Sequence, residues 1–418
     1  MSQISARVSR RNGILSTGIH FRVLLLSLAS ISSASSAEDG FDAKRNRMVD
    51  TAIVAEGISG PAVLSAMRKV PRHEFVAAPF RAQAYEDHSL PIGAQQTISP
   101  PFVVAYMTEV LNPQPGDRIL EIGTGSGYQA AVLAEICQEV YTIEIVPSLA
   151  RSAQRRLKEL GYKNVNVRAG DGYLGWPEHA PFDRIIVTCS PEQIPLPLTE
   201  QLKEGGTMLI PVGERYQQSF HLLKKKDGQL ETQKLASTLF VPMTGESEKQ
   251  RAVLPDPLNP VIRNGSFEID ANGDGRADSW HYQRKAEICE ENQSEPVNHF
   301  LRFKNEVPGE LAQPLQGNAV NGQKISSLRI TFRVRTENIQ PGPEKGDQAG
   351  FVFHFYDRNR KEVGTVLHGR LPVSREWQHS VARVAVPATS REMIVRAGLN
   401  GAVGVLDIDD VQLETTLR

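Results

Sequence analysis

Two regimes of hydrophobic patterning divide the chain. From about residue 43 to residue 252, short apolar runs at 117–122, 140–144, 165–168, 183–187, 208–211 and 220–224 read as strands. Stretches of helical spacing fall between or before the early ones, notably 48–70, 128–137 and 148–160. Strands alternating with helices over short connections predict an α/β fold built on a doubly wound parallel sheet. No helical stretch separates the last two strands, so an antiparallel edge pair is expected there. Beyond residue 262 the period changes to two. Leu328, Ile330, Phe332 and Val334 alternate with Arg329, Thr331, Arg333 and Arg335, and Phe351, Phe353 and Phe355 alternate with Val352, His354 and Tyr356. With similar runs at 381–386, 393–396 and 403–413, this pattern predicts an all-β sandwich over 262–418. The arginine stripe reads as its solvated face. Between the regimes, 253–261 carries Pro255, Pro257 and Pro260, and reads as a stiff linker.

Composition narrows the classes without changing this division. The 418 residues are 40% hydrophobic and 23% charged, and a net charge of −1 shows no footprint of a broad nucleic-acid or membrane-surface binder. The histidines are scattered without zinc-ligand spacing. Cys137, Cys189 and Cys289 form no C-x-x-C pair, and the first two read as small buried residues. At the N-terminus, Arg7, Arg10, Arg11 and Arg22 precede Val23-Leu24-Leu25-Leu26-Ser27-Leu28-Ala29, and small residues end in Ser35-Ser36-Ala37. Residues 1–37 therefore read as a signal peptide, which implies export to the periplasm or cell envelope. An unstructured extension on a cytoplasmic enzyme is the other reading of the same residues. The apolar run is too short to span a bilayer, which takes about 20 residues, and no transmembrane segment is expected elsewhere.

The chemistry concentrates in Arg118-Ile119-Leu120-Glu121-Ile122-Gly123-Thr124-Gly125-Ser126-Gly127-Tyr128. A strand carrying an acid near its tip enters a turn with glycines at alternate positions, which lets backbone approach a ligand while the next helix presents its N-terminus. Tyr128 stands where the dinucleotide fingerprint needs its third glycine, which disfavours a nicotinamide cofactor. The next strand ends in Glu144, about 20 residues on, where a carboxylate can accept from a ribose diol. After the third strand, Asp171 and Gly172 could face an adenine amino group. Together these elements describe a nucleoside held across the carboxyl ends of parallel strands.

The segments 120–129, 170–172 and 181–187 resemble the motifs of class I, Rossmann-like methyltransferases. Four more are similar to the protein-L-isoaspartate O-methyltransferase family in particular. They are Pro71-Arg72-His73-Glu74-Phe75-Val76, Gln95-Gln96-Thr97-Ile98-Ser99-Pro100-Pro101, the stretch 205–213 and Phe240-Val241-Pro242-Met243-Thr244. The resemblance covers 43–252. It implies S-adenosyl-L-methionine as methyl donor, bound by Glu121, Gly123, Gly125, Gly127, Glu144, Asp171, Gly172 and Thr244. It implies isoaspartyl residues of damaged proteins as acceptors, whose methyl esters cyclise unaided to succinimides. Ser99 stands at the family's active-site serine; the residue could equally cap a helix before Pro100 and Pro101. Some members carry a histidine shortly after this serine, whereas this chain has Phe102, Val103 and Val104. His88 reads as structural. A small-molecule methyltransferase, or an exported binding protein beside a vestigial cofactor fold, are the competing readings.

The opening Asn264-Gly265-Ser266-Phe267-Glu268 and closing 406–411 resemble galactose-binding-like, carbohydrate-binding jelly rolls. Asp270, Asn272, Asp274 and Asp278 place oxygen ligands on a glycine-bent loop that suits Ca2+, or ordinary turns; Glu268 and Asp410 are alternative ligands. Trp280, Tyr282 and Trp377 are candidates for stacking on a carbohydrate, or core aromatics.

Overall fold

A computed structural model describes residues 40–291, 297–369 and 371–418; the signal-peptide reading of 1–37 lies outside them. A seven-stranded sheet organises the first half. Its strands are β3 (Arg118–Ile122), β4 (Glu139–Glu144), β5 (Val165–Ala169), β6 (Phe182–Val187), β7 (Leu202–Glu214), β8 (Gln217–Lys226) and β9 (Gln229–Thr238), in the order β5-β4-β3-β6-β7-β8-β9. The first five run parallel, and β7-β8 and β8-β9 are antiparallel. The parallel strands are near-continuous apolar runs because helices cover both faces. Helix Pro147–Glu159, for example, buries Leu149, Ala150, Ala153 and Leu157. Order reverses between β3 and β6, and the crevice at their carboxyl ends is the switch point where such sheets bind ligands.

Two expectations for this half need correction. The single helix over 48–70 is instead a π-turn at Val49–Ile53, a short 3-10 turn and a helix at Pro61–Lys69. Gly57, at φ +94°, and the Gly60-Pro61 pair interrupt it. The edge strand β9 left no apolar signature, because six of its first seven residues are exposed. Ahead of the sheet, a hairpin of β1 (Leu90–Gly93) and β2 (Gln96–Ile98) leads through Ser99 into helix Pro101–Leu111.

The second half is a sandwich of two five-stranded antiparallel sheets. One is ordered β10-β13-β18-β15-β16 and the other β11-β12-β19-β14-β17, where β10 is His281–Arg284, β11 Ala286–Glu291, β12 Asn298–Asn305, β13 Gln313–Ala319, β14 Ile325–Gln340, β15 Gly350–Tyr356, β16 Glu362–His368, β17 Gln378–Ala385, β18 Glu392–Gly398 and β19 Val403–Leu417. Alternation does the work: Leu328, Ile330, Phe332 and Val334 all point inward, and the Phe332 and Phe351 rings meet across the sheets with centroids 4.6 Å apart.

The residues read as ligand contacts in this domain have other partners in the structure. Trp280 is fully buried, stacks on Phe267 and donates Nε1 to the Asn264 carbonyl at 3.0 Å. Tyr282 donates its hydroxyl to the Leu239 carbonyl across the seam between the domains. At Trp377 the Arg333 and Arg335 guanidinium carbons lie 4.7 and 4.6 Å from the ring centroid, as cation–π partners. Those two arginines are held by Asp409 and Asp407, so they form a paired layer rather than a freely solvated stripe. In the calcium loop, Asp270 accepts from the Asp274 and Gly275 amides and Asp274 from Arg276, while Asp278 pairs with Lys234. Glu268 is taken by His299. Among the described residues, no group of three or more His, Cys, Asp or Glu is placed to hold a metal.

Trp280→Ala removes the largest fully buried side chain of the sandwich and is expected to cost about 3–5 kcal/mol. Urea unfolding monitored by circular dichroism checks this; a midpoint equal to that of the unmodified chain would mean that the ring contributes no packing.

Candidate functional site

The crevice above β3, β4 and β6 is an open cleft of about 800 Å³, lined by Ser99, Gly123, Gly125, Glu144, Gly172 and Thr244 among others. The turn after β3 forms its floor. Gly123, Gly125 and Gly127 adopt φ values of +100°, +54° and +92°, which only glycine takes without strain. A β-carbon on Gly123 would sit 2.4 Å from Thr188 Oγ1, the atom that donates to the Ile122 and Gly123 carbonyls. One on Gly172 would sit 2.3 Å from Ile122 Cγ2. Side chains at these two positions would collide with Thr188 and Ile122, so the turn packs this closely at the cleft only with glycine there.

Glu144 holds the turn from the tip of β4. Its Oε2 accepts from the Gly125 amide at 2.8 Å and its Oε1 from Val146 at 2.9 Å, while the carboxylate still lines the cleft. A carboxylate oxygen accommodates two acceptor contacts, so each retains capacity for a ribose hydroxyl. Thr244 reaches the opposite wall because Ser190 pins the segment before it, donating its amide to the Val241 carbonyl and accepting from the Met243 amide.

Three residues read from the sequence as cofactor contacts stand outside the lining. Gly127 packs on the next helix, where an added β-carbon would meet Leu157 Cδ1 at 3.2 Å. The Asp171 carboxylate accepts one amide on each oxygen, Oδ1 from Tyr173 and Oδ2 from Glu246, at 2.9 and 2.8 Å, and like Glu144 keeps further acceptor capacity. It thereby ties the Gly172 turn to the segment after Thr244. Glu121 is fully buried beneath the cleft, where the Thr142 hydroxyl donates to it. Burial, reinforced by the nearby Glu144 and opposed by Thr142, pushes its carboxyl up to about 8. At neutral pH it therefore carries its proton, a buried acid rather than a ligand for a cation.

On the acceptor side, Ser99 lines the cleft, and among the described residues its hydroxyl makes no hydrogen bond. Helix Pro101–Leu111 is not capped by it: the first free amide, Phe102, donates instead to Asp87 at 2.9 Å. The cap reading of Ser99 is thus displaced. His88 is exposed and pairs with Glu86, away from the lining. Cys189 lines the cleft, yet burial and the surrounding carboxylates hold its thiol far above the ordinary range, and Cys137 is pushed up to about 12 by burial. Neither is a nucleophile at neutral pH.

Sequence reasoning missed the residue that joins the two sides. Arg72, fully buried, donates Nε to the Ala84 carbonyl at 2.8 Å and Nη2 to the Ser99 carbonyl at 2.7 Å. Its guanidinium carbon lies 4.8 Å from the Tyr128 ring, at the start of the helix behind the glycine turn. The charged residue inside Pro71-Arg72-His73-Glu74-Phe75-Val76 was the available signal.

A doubly wound sheet with a glycine cradle at its switch point and a carboxylate on the second strand is the arrangement of Rossmann-like nucleoside-binding folds, the class I methyltransferases among them. Residues 43–248 match a family described as protein-L-isoaspartate(D-aspartate) O-methyltransferase. The protein-L-isoaspartate O-methyltransferase of Gloeobacter violaceus is 54% identical over 204 residues, which span 49% of this chain and 100% of that one. Protein-L-isoaspartate O-methyltransferase 2 of Syntrophobacter fumaroxidans is 49% identical over 241 residues, 55% of this chain and 98% of that one. A solved protein-L-isoaspartate O-methyltransferase is 31% identical, with a TM-score of 0.45 over 52% of this chain and 73% of that one. The chain belongs to the protein-L-isoaspartate O-methyltransferase family, with the sandwich following the matched residues.

The raised Glu121 has a consequence for stability. Unfolded, this carboxyl ionises near its ordinary value of 4.5, whereas folded it holds its proton to about 8. Folding stability therefore falls as pH rises through that interval. Glu121→Gln, which cannot ionise, is expected to gain on the unmodified chain between pH 5 and pH 8 in urea unfolding. A pH-independent difference between the two would mean that Glu121 ionises in the folded protein as it does in the free chain.

Proposed function

We propose that the chain transfers a methyl group from S-adenosyl-L-methionine to the free carboxylate of isoaspartyl residues in proteins, the step that starts their repair. The observation that carries this reading is a cleft with a glycine cradle and Glu144 at one side and, at the other, the Ser99 hydroxyl, which has no hydrogen-bond partner among the described residues. It sits in a chain that aligns with the whole of a relative named for that activity.

The donor, when bound, supplies an activated and positively charged methyl group. The rest is work for the protein's own side chains. Glu144 accepts from the ribose hydroxyls, and the open backbone at Gly123, Gly125 and Gly172 admits the nucleoside. The free carboxyl of an isoaspartyl residue is its α-carboxyl, with a pKa of about 3.5, already ionised at neutral pH, so the acceptor needs no general base. The lining agrees with this demand, since it contains no His, Lys or Arg. Ser99 donates to one carboxylate oxygen and so aims the other along the line of transfer. Holding that geometry and keeping water out supply the rate.

Export of the chain by residues 1–37 is part of the same proposal, supported by their charged, apolar and small-residue blocks. Among the described residues, no helix is long and apolar enough to cross a membrane.

With labelled S-adenosyl-L-methionine, transfer is expected to an isoaspartyl peptide and not to its aspartyl twin; equal labelling of the two rejects the isoaspartyl acceptor. Ser99→Ala is expected to lower kcat about 10- to 100-fold, the worth of one hydrogen bond to a charged group, with affinity for S-adenosyl-L-homocysteine unchanged. An unaltered kcat would remove Ser99 from the acceptor site.

A further inference from the structure

We infer that Arg284, in the sandwich, is a positioning residue for the acceptor side of the cleft, acting through Asp87 on the helix that follows Ser99. The inference rests on the methyl transfer proposed above and adds a part for the second domain in it.

Helix Pro101–Leu111 begins after Pro100 with a second proline, and no side chain at its N-cap serves its first turn. The first amide available is that of Phe102, and a helix start with unserved donors is a weak anchor. Asp87, from the segment before the β1-β2 hairpin, supplies the missing acceptor: its Oδ1 takes the Phe102 amide at 2.9 Å. A carboxylate there also complements the positive end of the helix.

Asp87 is in turn held from the other domain. Arg284, the last residue of β10, donates Nη2 and Nε to Asp87 Oδ2 at 2.9 and 3.3 Å. Its guanidinium carbon lies 3.9 Å from the centroid of the Phe102 ring, so one cation touches both the capping acid and the capped residue. Its Nη1 donates to its own neighbour's carbonyl, Gln283, and lies 3.8 Å from Glu56. Only 9% of the Arg284 side chain and 14% of the Asp87 side chain are exposed, so water screens the pair weakly.

Ser99 is therefore fixed from two directions. Arg72 holds its carbonyl from inside the catalytic domain, and three residues later the chain is gripped through Phe102 and Asp87 by the sandwich. Loss of Arg284 leaves Asp87 free to turn away from the helix start. Displacements of about 1 Å at a reacting group cost up to about a hundredfold in rate, so this is a grip that turnover can report. An ion pair elsewhere on the seam makes no such connection. Lys234 meets Asp278 3.3 Å away at a more exposed position, and neither lines the cleft.

The test is steady-state transfer to an isoaspartyl peptide by the full chain, paired with calorimetric titration of S-adenosyl-L-homocysteine. Arg284→Met is expected to lower kcat about tenfold with product affinity unchanged, and Arg284→Lys to recover part of the loss. The double variant Arg284→Met/Asp87→Ala should be no slower than Asp87→Ala, and Lys234→Ala should match the unmodified chain. A normal kcat in Arg284→Met, additive losses in the double variant, or an equal loss in Lys234→Ala would each overturn the inference. Should Arg284→Met fail to fold, Arg284→Lys and Asp87→Ala decide: full kcat in both overturns it, and a reduced kcat with intact product affinity supports it. No transfer by the unmodified chain would overturn the methyl-transfer reading and this inference with it, whereas normal transfer combined with indifference to Arg284 overturns this inference alone.

Discussion

A buried cation ties the donor and acceptor sides of the cleft together. Among the described residues, Arg72 has no carboxylate partner within hydrogen-bond range; Nε and Nη2 donate to the Ala84 and Ser99 carbonyls, Nη1 is left unpaired, and the guanidinium lies against the Tyr128 ring. Moving a guanidinium out of water is costly unless its donors are satisfied, so the segments that supply those carbonyls are drawn to it. One carbonyl belongs to the residue beside the proposed acceptor; the ring belongs to the helix behind the glycine turn. The spacing between the two sides is thereby set by the span of one rigid side chain. A lysine, with a single flexible point of charge, would not reproduce that geometry.

Carboxyl groups of one chemical type serve three separate ends in and around the cleft, and their surroundings decide which. Glu144, at the tip of β4, braces the glycine turn with both oxygens and still faces the cleft. Asp171 accepts one amide on each oxygen and acts as a strut between two loops, outside the lining of the cleft. Glu121 lies too deep to ionise near neutrality and serves as a polar plug between β3 and β4. Of the three, only Glu144 lines the cleft.

Much of this was legible in the sequence. The parallel strands announced themselves as apolar runs, and the glycines at alternate positions located the cradle, because few other residues can take those backbone angles. Spacing alone could not separate Glu144 from Asp171 and Glu121, since all three follow or end strands at suggestive positions; burial and backbone partners separate them. The strand β9 escaped notice because it is an exposed edge with little apolar content. Asp270 and Asp274 carried the right atoms for a cation but spend them on their own turn, a use that composition cannot distinguish from ligation. Arg284 and Asp87 are 197 residues apart, and no local pattern links them.

The seam between the domains also bears on how the chain comes apart. Tyr282 packs into the same apolar cluster as Phe102, Phe220 and Phe240, and its hydroxyl finds its acceptor on the catalytic side. His281 beside it is fully buried and reaches the Tyr216 carbonyl. A catalytic half cut free of its neighbour would show water a bare aromatic ledge and two orphaned carbonyls, a surface prone to self-association. The two halves are thus better regarded as one folding partnership than as an enzyme with a detachable tail.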